Sequence, residues 1–173
     1  MKNKIVLAGS GYLGEYISNL VLKNHPNLSI IKACRSYKQK QANVQNIKRD
    51  FDNELLDLQF VNNSTVIYMA PPSILNNKDD RLNNFINNIA GLKINKIIYT
   101  STSGVYGDCE GKIVDENKPV RPKTERAVRR VDAERQLTEL AIEKNIKLII
   151  LRVPGIYGKG RLPVERVKQR EPL

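Results

Sequence analysis

Three glycines near the N-terminus have a spacing that suits phosphate binding. Residues 4–14 read KIVLAGSGYLG, an apolar run that ends in Gly-x-Gly-x-x-Gly, and an amphipathic segment follows at once. This order predicts a buried strand, a tight turn and a helix. Gly9 would allow the turn, Gly11 would let a pyrophosphate approach the backbone, and Gly14 would let the helix pack closely on the strand. The helix N-terminus then favours a diphosphate. The alternative is a glycine turn in an α/β domain without a ligand.

The end of the second predicted strand bears on the choice of ligand. Residues 28–34 form this strand, and because a helix separates it from the first, the two should be parallel. A dinucleotide fold usually has Asp or Glu there, bound to a ribose 2′-hydroxyl. This chain has Cys34, Arg35 and Ser36 instead. An arginine and a hydroxyl can hold a 2′-phosphate, so the sequence predicts NADP rather than NAD. The alternative is that Arg35 is simply an exposed loop residue.

The rest of the chain alternates strands with helices and contains no repeat or linker, which predicts one domain over residues 1–173. The predicted strands are 4–8, 28–34, 44–50, 65–70, 96–100 and 146–153, and the predicted helices are 12–23, 52–58, 78–91 and 123–144. Asp50 and Phe51 lie where an adenine could rest. Four hydroxyl-bearing residues in 101–107 follow a strand, and open α/β sheets bind ligands at the carboxyl ends of strands.

The chain is strongly basic, with a formal net charge of +11 and a pI of about 9.7. Its cations are unevenly divided: residues 1–120 contain twelve Lys and three Arg, and residues 121–173 contain five Lys and nine Arg. Arginine suits bidentate contact with phosphate or carboxylate. Either some of these arginines bind an anion, or they form solvated faces. No aromatic residues are interleaved with the basic ones, so nucleic acid is an improbable partner.

Several classes of protein are excluded by composition. No stretch approaches the roughly 18 apolar residues of a membrane span, and the short N-terminal apolar run does not resemble a signal peptide. The two cysteines, Cys34 and Cys109, fit a reduced compartment better than a disulfide framework. His25 is the only histidine, and no metal-ligand spacing is present. The sequence predicts a cytoplasmic protein without a metal site and without a membrane partner.

Taken together, the motifs resemble the extended and atypical types of the short-chain dehydrogenase/reductase superfamily, often described as NAD-dependent epimerase/dehydratase. The resemblance covers nearly the whole chain. It rests on the glycine motif, Thr100–Gly107 with its Val-Tyr-Gly ending, Asp115-Glu116 before Pro119, Glu134 in the long helix, and Leu151–Gly158. It implies an α/β fold, a three-layer doubly wound parallel Rossmann sheet of strand order 3-2-1-4-5-6. The cofactor would cross the switch point between strands 1 and 4.

Two departures from this family pattern alter the expectation. Family members carry Tyr-x-x-x-Lys on the long helix, four residues before the Glu; counting back from Glu134 puts Arg130 at the Lys position and Arg126 at the Tyr position. Extended members also continue for roughly another hundred residues. We therefore expect the last strand and the substrate lobe to be missing. Residues 148–153 should then form an exposed edge, which a second copy or a partner chain could complete.

The resemblance also implies roles for individual residues. Thr102 corresponds to the hydroxyl that polarises the substrate, although it could equally satisfy backbone groups at a strand end. The implied cofactor-binding residues are Gly9, Gly11, Tyr12, Leu13, Gly14, Arg35, Ser36, Asp50, Phe51, Ala70, Pro71, Thr100, Arg130 and Pro154.

Two functions remain open on this sequence. The first is an NADP(H)-dependent oxidoreductase or epimerase with altered acid/base chemistry. The second is a non-catalytic NADP(H)-sensing or scaffold module. A basic nucleic-acid-binding protein is a less favoured third. The substrate is not identified by the sequence.

Overall fold

The fold is a parallel six-stranded sheet with helices on both faces. The computed structural model describes residues 4–36 and 42–169. The strand order is β3-β2-β1-β4-β5-β6, and every neighbouring pair is parallel. The three-layer doubly wound arrangement and the strand order 3-2-1-4-5-6 are confirmed. The strands are β1 (Lys4–Ala8), β2 (Ser29–Cys34), β3 (Val44–Lys48), β4 (Ser64–Tyr68), β5 (Ile94–Thr102) and β6 (Lys147–Val153). The helices are α1 (Tyr12–Asn24), α2 (Asp80–Ile89), α3 (Glu125–Lys144) and α4 (Val164–Lys168), with 3-10 turns at Gln59–Val61 and Ser103–Tyr106.

The topology creates a crevice beside β1. This strand pairs with β2 on one side and with β4 on the other, so the chain changes direction across the sheet between β1 and β4. At such a switch point, the connections after the two strands leave in opposite directions and open a gap at the carboxyl ends. The middle of β1 is fully buried, which explains why its sequence is continuously apolar rather than alternating.

The predicted helix over residues 52–58 is wrong. This segment is a series of turns, and its backbone polar groups are satisfied by side chains of α2. The amide of Asn84 donates to the carbonyls of Phe51 and Asp52, each at 3.2 Å. Asn88 donates to the Glu54 carbonyl at 2.7 Å and accepts the backbone N–H of Leu56 at 3.0 Å. These tertiary bonds replace the intrahelical bonds that the local sequence suggested.

The other boundaries differ from the predicted ones by a few residues. β5 is longer at both ends than predicted and includes Ser101 and Thr102, which therefore belong to the strand. Helix α3 starts after Thr124, whose hydroxyl accepts the backbone N–H of Ala127, and ends at Asn145 in the left-handed conformation. Helix α2 is shorter at both ends than predicted, and its C-cap is Ala90 in the right-handed conformation.

β6 is the outer strand of the sheet on the α3 side. Ile149 and Leu151 on this strand are 41% and 46% exposed. The expectation that another chain pairs with this edge stays a prediction.

The turn after β1 should tolerate no side chain. Gly9 has φ +78°, and a Cβ added there would overlap the backbone of Ala70. We expect Gly9→Ala to lower the free energy of unfolding by about 2 kcal/mol or more, from backbone strain and overpacking together. Urea denaturation measures this. Gly91→Ala is the matched control, because a Cβ there meets nothing within 4 Å. Equal stability of the two variants would contradict the account of the turn.

Candidate functional site

The glycine motif forms a tight turn between β1 and α1. The backbone N–H of Gly9 donates to the Ala33 carbonyl at 2.9 Å, which ties the turn to the end of β2. A Cβ on Gly14 would overlap the hydroxyl of Ser10, so the first turn of α1 packs directly on the loop. Two of the three glycines are thus required by local packing, whatever the protein binds.

The middle glycine is not required by packing. Gly11 is the N-cap of α1, with no side-chain capping bond, and a Cβ added to it would meet nothing within 4 Å. The first backbone N–H groups of α1 lack intrahelical partners, and the helix dipole is positive at this end. Gly11 therefore leaves open space beside a group of donors that suits an anion.

Two pockets meet at this loop and share Gly9, Gly11 and Pro71. The first, called the Arg35 pocket here, is also lined by Ser10, Cys34, Arg35, Ser36, Arg49, Asp50, Phe51, Ala70 and Arg81. The second, called the Thr102 pocket, is lined among others by Tyr12, Leu13, Thr100, Thr102, Arg126, Arg130 and Pro154. Of the predicted cofactor-binding residues, all but Gly14 line one pocket or the other. Together the pockets form one cleft across the carboxyl ends of the central strands.

The arginines of the Arg35 pocket differ in how they are neutralised. Arg81 donates to both carboxylate oxygens of Asp52, at 2.7 and 2.6 Å, and to the Pro71 carbonyl. The hydrogen bond from Arg81 lowers the pKa of Asp52 below its usual value. Arg49 donates to the carbonyl of Asp57 at 3.0 Å. Arg35 is exposed and makes no hydrogen bond or ion pair with a described residue.

Asp50 and Phe51 lie in the Arg35 pocket, but Phe51 also has a structural role. Its ring packs edge-on against Phe85 at 5.6 Å and against Tyr68 at 5.9 Å, and it is 4% exposed. Asp50 accepts the backbone N–H of Asp52 at 3.2 Å. The sequence put no carboxylate at the end of β2, yet the fold brings Asp50 from the end of β3 into the same pocket.

The Thr102 pocket contains the residue predicted to polarise a substrate. The Thr102 hydroxyl accepts the backbone N–H of Gly104 at 3.2 Å and thereby caps the 3-10 turn Ser103–Tyr106. This bond uses the oxygen as an acceptor and leaves its proton available for another group. Both predicted roles of Thr102, the backbone one and the one toward a ligand, are therefore compatible in the same geometry.

The two arginines at the family's Tyr and Lys positions both line the Thr102 pocket. Arg130 is 6% exposed and donates to the Tyr99 hydroxyl at 2.8 Å and to the Thr100 carbonyl at 2.9 Å. Arg126 is exposed one helical turn earlier. The neighbouring Arg129 instead donates to the Asn76 carbonyl and pairs with Glu125.

The buried tyrosines near Arg130 are unsuited to proton transfer at neutral pH. Burial raises the pKa of Tyr99 to about 12, against the opposing effect of Arg130. Burial likewise raises the pKa of Tyr68 well above its usual value. A general acid or base works best with a pKa near the working pH, so neither tyrosine substitutes for the one absent from α3.

A partly buried ion pair lies beside the Thr102 pocket and was not predicted. Arg152 on β6 donates to both oxygens of Glu134, with the shortest distance 2.7 Å. Glu134 also accepts the Ser101 hydroxyl at 2.5 Å, and Arg152 donates to the Tyr106 hydroxyl at 2.9 Å. Glu134 was identified from the sequence only as a motif position on the long helix. Its partners Arg152 and Ser101 lie 18 and 33 residues away, and no local pattern in the sequence indicates contacts at that separation.

Across the described ranges 4–36 and 42–169, no group of three His, Cys, Asp or Glu residues is arranged to hold a metal ion. Within the same ranges, every helix is too short or too polar to cross a bilayer.

The comparisons with known proteins agree with this geometry. The model of the NAD dependent epimerase/dehydratase family matches residues 5–170. No curated protein matches the sequence. Among solved structures, the chain is similar to UDP-glucuronic acid 4-epimerase from Bacillus cereus in complex with NAD, with TM-score 0.77 and 20% identity over 98% of this chain. It is also similar to dTDP-glucose 4,6-dehydratase from Bacillus anthracis in complex with NAD, with TM-score 0.76 and 18% identity over 98% of this chain.

These structures are longer than the chain. It spans 64% of the Bacillus cereus epimerase and 62% of the Bacillus anthracis dehydratase. A putative NAD-dependent epimerase/dehydratase from Methylobacillus flagellatus is similar at TM-score 0.74 and 23% identity, with 98% of this chain and 59% of that one covered. At these identities the likeness shows the fold.

The ion pair between Glu134 and Arg152 should contribute strongly to stability. Glu134→Ala would leave Arg152 without its carboxylate and Ser101 without its acceptor, and we expect a loss of about 3–5 kcal/mol in the free energy of unfolding. Glu139→Ala on the same helix removes an exposed partner of Arg135 and should cost under about 1 kcal/mol. Chemical denaturation of both variants checks this; a loss at Glu134 no larger than at Glu139 would contradict it.

Proposed function

The chain belongs to the NAD-dependent epimerase/dehydratase family, and we propose that it binds a nicotinamide dinucleotide in the cleft, with NADP(H) preferred over NAD(H). The observation that carries this proposal is the open space at Gly11, where the two pockets meet beside the N-terminus of α1. A dinucleotide has a diphosphate in its middle and a nucleoside at each end. A cleft with an anion site at its centre and a pocket on either side matches that shape.

The residues of the cleft fit the parts of such a cofactor. Tyr12 and Leu13 would hold the diphosphate through the start of α1, and the Arg35 pocket would hold the adenosine. Thr100, Arg130 and Pro154 would surround the nicotinamide half in the Thr102 pocket. When bound, the nicotinamide supplies hydride chemistry. The protein supplies orientation and a partly enclosed site.

The preference for NADP(H) rests on Arg35. Arg49 and Arg81 in the same pocket are already bonded to the Asp57 and Asp52 segments. Arg35 stands beside Ser36 and makes no hydrogen bond or ion pair with a described residue, although its charge acts on Asp52. A 2′-phosphate would give Arg35 a charge-assisted bond. Asp50 opposes this preference, because it adds a negative charge to the pocket, but its Oδ1 is already bonded to the N–H of Asp52.

We further propose that the cleft does not run an acid/base cycle based on tyrosine. The guanidinium is a permanent cation in proteins, so an arginine at the tyrosine position cannot alternate between acid and base. Arg130 can still orient a ribose or a phosphate. This supports a protein that binds NADP(H) for sensing or scaffolding.

Catalysis as an oxidoreductase or epimerase is the second candidate. The observation that favours it is the position of Thr102, whose hydroxyl proton is not used by its bond to Gly104. Thr102 could polarise a carbonyl near the nicotinamide, with water carrying the proton. The similar Bacillus enzymes act on nucleotide sugars by name, so this class is the first to test.

We also place the protein in the cytoplasm, where the free cysteines Cys34 and Cys109 would stay reduced.

Cofactor preference is tested by substitution at Arg35. Arg35→Asp should weaken NADPH binding by about tenfold or more, because a repulsive charge replaces an Arg–phosphate bond worth roughly 1.5–3 kcal/mol. NADH binding should change little. Fluorescence titration with both reduced cofactors measures the two affinities.

Arg135→Ala serves as the control, since it removes one positive charge from the exposed face of α3. It should bind both cofactors like the wild type. Equal affinity of the wild-type protein for NADPH and NADH would refute the preference, and absence of binding to either would refute the proposed function.

Turnover distinguishes the two candidate functions. We expect the wild-type protein to show no cofactor-linked conversion of UDP-sugars, dTDP-glucose or simple carbonyl compounds, because Arg126 stands at the position of the family's tyrosine. Absorbance at 340 nm follows oxidation or reduction of the cofactor, and chromatography of the sugar nucleotides detects epimerisation. Robust turnover with a titrating group near neutral pH would instead establish the catalytic candidate.

A further inference from the structure

The Thr102 pocket is unusually positive. Arg126, Arg130 and Arg161 all line it, and none of the described residues that line it is Asp or Glu. The hydroxyl-bearing residues that line the pocket carry no charge. No carboxylate among the described lining residues therefore balances the positive charge of this pocket.

Arg130 shows the imbalance most clearly. Its side chain is more than nine-tenths buried, its bonds go to a neutral hydroxyl and a carbonyl, and its Nε has no hydrogen-bond partner. No described carboxylate lies within 4 Å to form an ion pair with it. Asp79 is close enough for Arg130 to favour its charged form, yet burial raises the pKa of Asp79 overall. A buried cation without a paired anion is costly, so an anion in the pocket would relieve a real deficit.

Arg126 adds a positive charge to the N-terminus of α3, which the helix dipole already makes positive. It lies in the first turn of α3, next to the N-cap Thr124, and both residues line the pocket. The N-terminus of a helix carries about half a positive charge, which repels a cation. Arg126 also makes no ion pair with a described residue, whereas the neighbouring Arg129 is paired with Glu125.

Arg161 approaches the pocket from the other side. Its guanidinium lies over the Tyr12 ring, 5.2 Å from the centroid, beside the start of α1. The pocket thus receives three arginines and two helix N-termini, about four positive charges by the usual estimate for helix ends. A dinucleotide brings a diphosphate of about two negative charges, and its oxidised nicotinamide adds a positive one. The cofactor alone leaves the pocket positive.

We propose that Arg126, Arg130 and Arg161 form a second oxyanion subsite, distinct from the diphosphate site at Gly11. It would take a small molecule with a carboxylate or phosphate group, placed beside Thr102. The proposal rests on the proposed function, because the subsite is what remains of the pocket once the cofactor is bound. It defines the substrate or effector class as anionic.

The test is calorimetric titration of the protein saturated with NADP+. Malonate and inorganic phosphate are the two anionic probes, and glycerol is the neutral one. We expect at least one anion to bind and glycerol not to bind. The stronger of the two anions then tells whether a carboxylate or a phosphate is preferred.

Variants at Arg126 separate charge from packing. Arg126→Ala should lower the affinity for the anion by about tenfold or more, and Arg126→Glu should lower it further. Arg126→Lys should lower it less than Arg126→Ala does. Arg161→Ala should also lower the affinity for the anion. Arg135→Ala removes the same charge outside the cleft and should leave anion affinity unchanged. NADP+ is brought to saturation for each variant, and thermal melting verifies that each one is folded.

Three results would overturn the subsite. These are no binding of either anion to the NADP+-saturated protein, binding that NADP+ abolishes, and equal weakening by Arg126→Ala and Arg135→Ala. Binding that NADP+ abolishes would assign the anion to the diphosphate site. If the wild-type protein binds no dinucleotide, the proposed function is refuted. The subsite is then tested in the cofactor-free protein: it stands if Arg126→Ala lowers the affinity for the anion, and it is refuted if that affinity is unchanged.

Discussion

The cleft depends on how closely two backbone segments approach each other at the switch point of the sheet. Gly9 follows β1 with φ +78°, and its α-carbon lies so near Ala70, two residues after β4, that no side chain fits between them. This contact holds the connections after β1 and β4 together where they leave the sheet. Beyond the contact the two connections diverge. The start of α1 is thereby aimed into the gap. The pockets on its two sides both depend on that geometry.

Charge is distributed across the cleft in a way that separates structural arginines from available ones. Arg81 and Arg152 each hold a carboxylate with two donors, and these pairs fix the loop after β3 and the strand β6. Arg35 and Arg126 have no such partner among the described residues. Fully paired arginines stabilise the fold, while unpaired ones beside a cavity are available to a ligand. The same residue type thus serves both purposes, and only the three-dimensional partners distinguish them.

Much of the fold could be predicted from the sequence, because the signals for it are local. The apolar runs gave the six strands, and the Gly-x-Gly-x-x-Gly spacing gave the turn. The segment 52–58 could not be predicted, since its conformation depends on Asn84 and Asn88 more than 25 residues later. Their amides bind backbone groups that a helix would have bonded internally.

The candidate site was predicted in part for the same reason. The motif residues around Gly11 and the positions of Arg126 and Arg130 followed from spacing along the chain. The contact of Arg161 with Tyr12 is set by packing between distant segments, so no spacing encodes it. Burial also sets proton affinity in a way that the sequence does not show: Tyr99 lies inside β5, and its pKa is raised to about 12.

A crystal structure of the protein grown with NADP+ tests the central claim most directly. The account predicts density for one dinucleotide across the switch point, with its diphosphate at the start of α1, its 2′-phosphate beside Arg35 and its nicotinamide in the Thr102 pocket. Density for the dinucleotide elsewhere on the molecule, or an empty cleft at a saturating cofactor concentration, would contradict it.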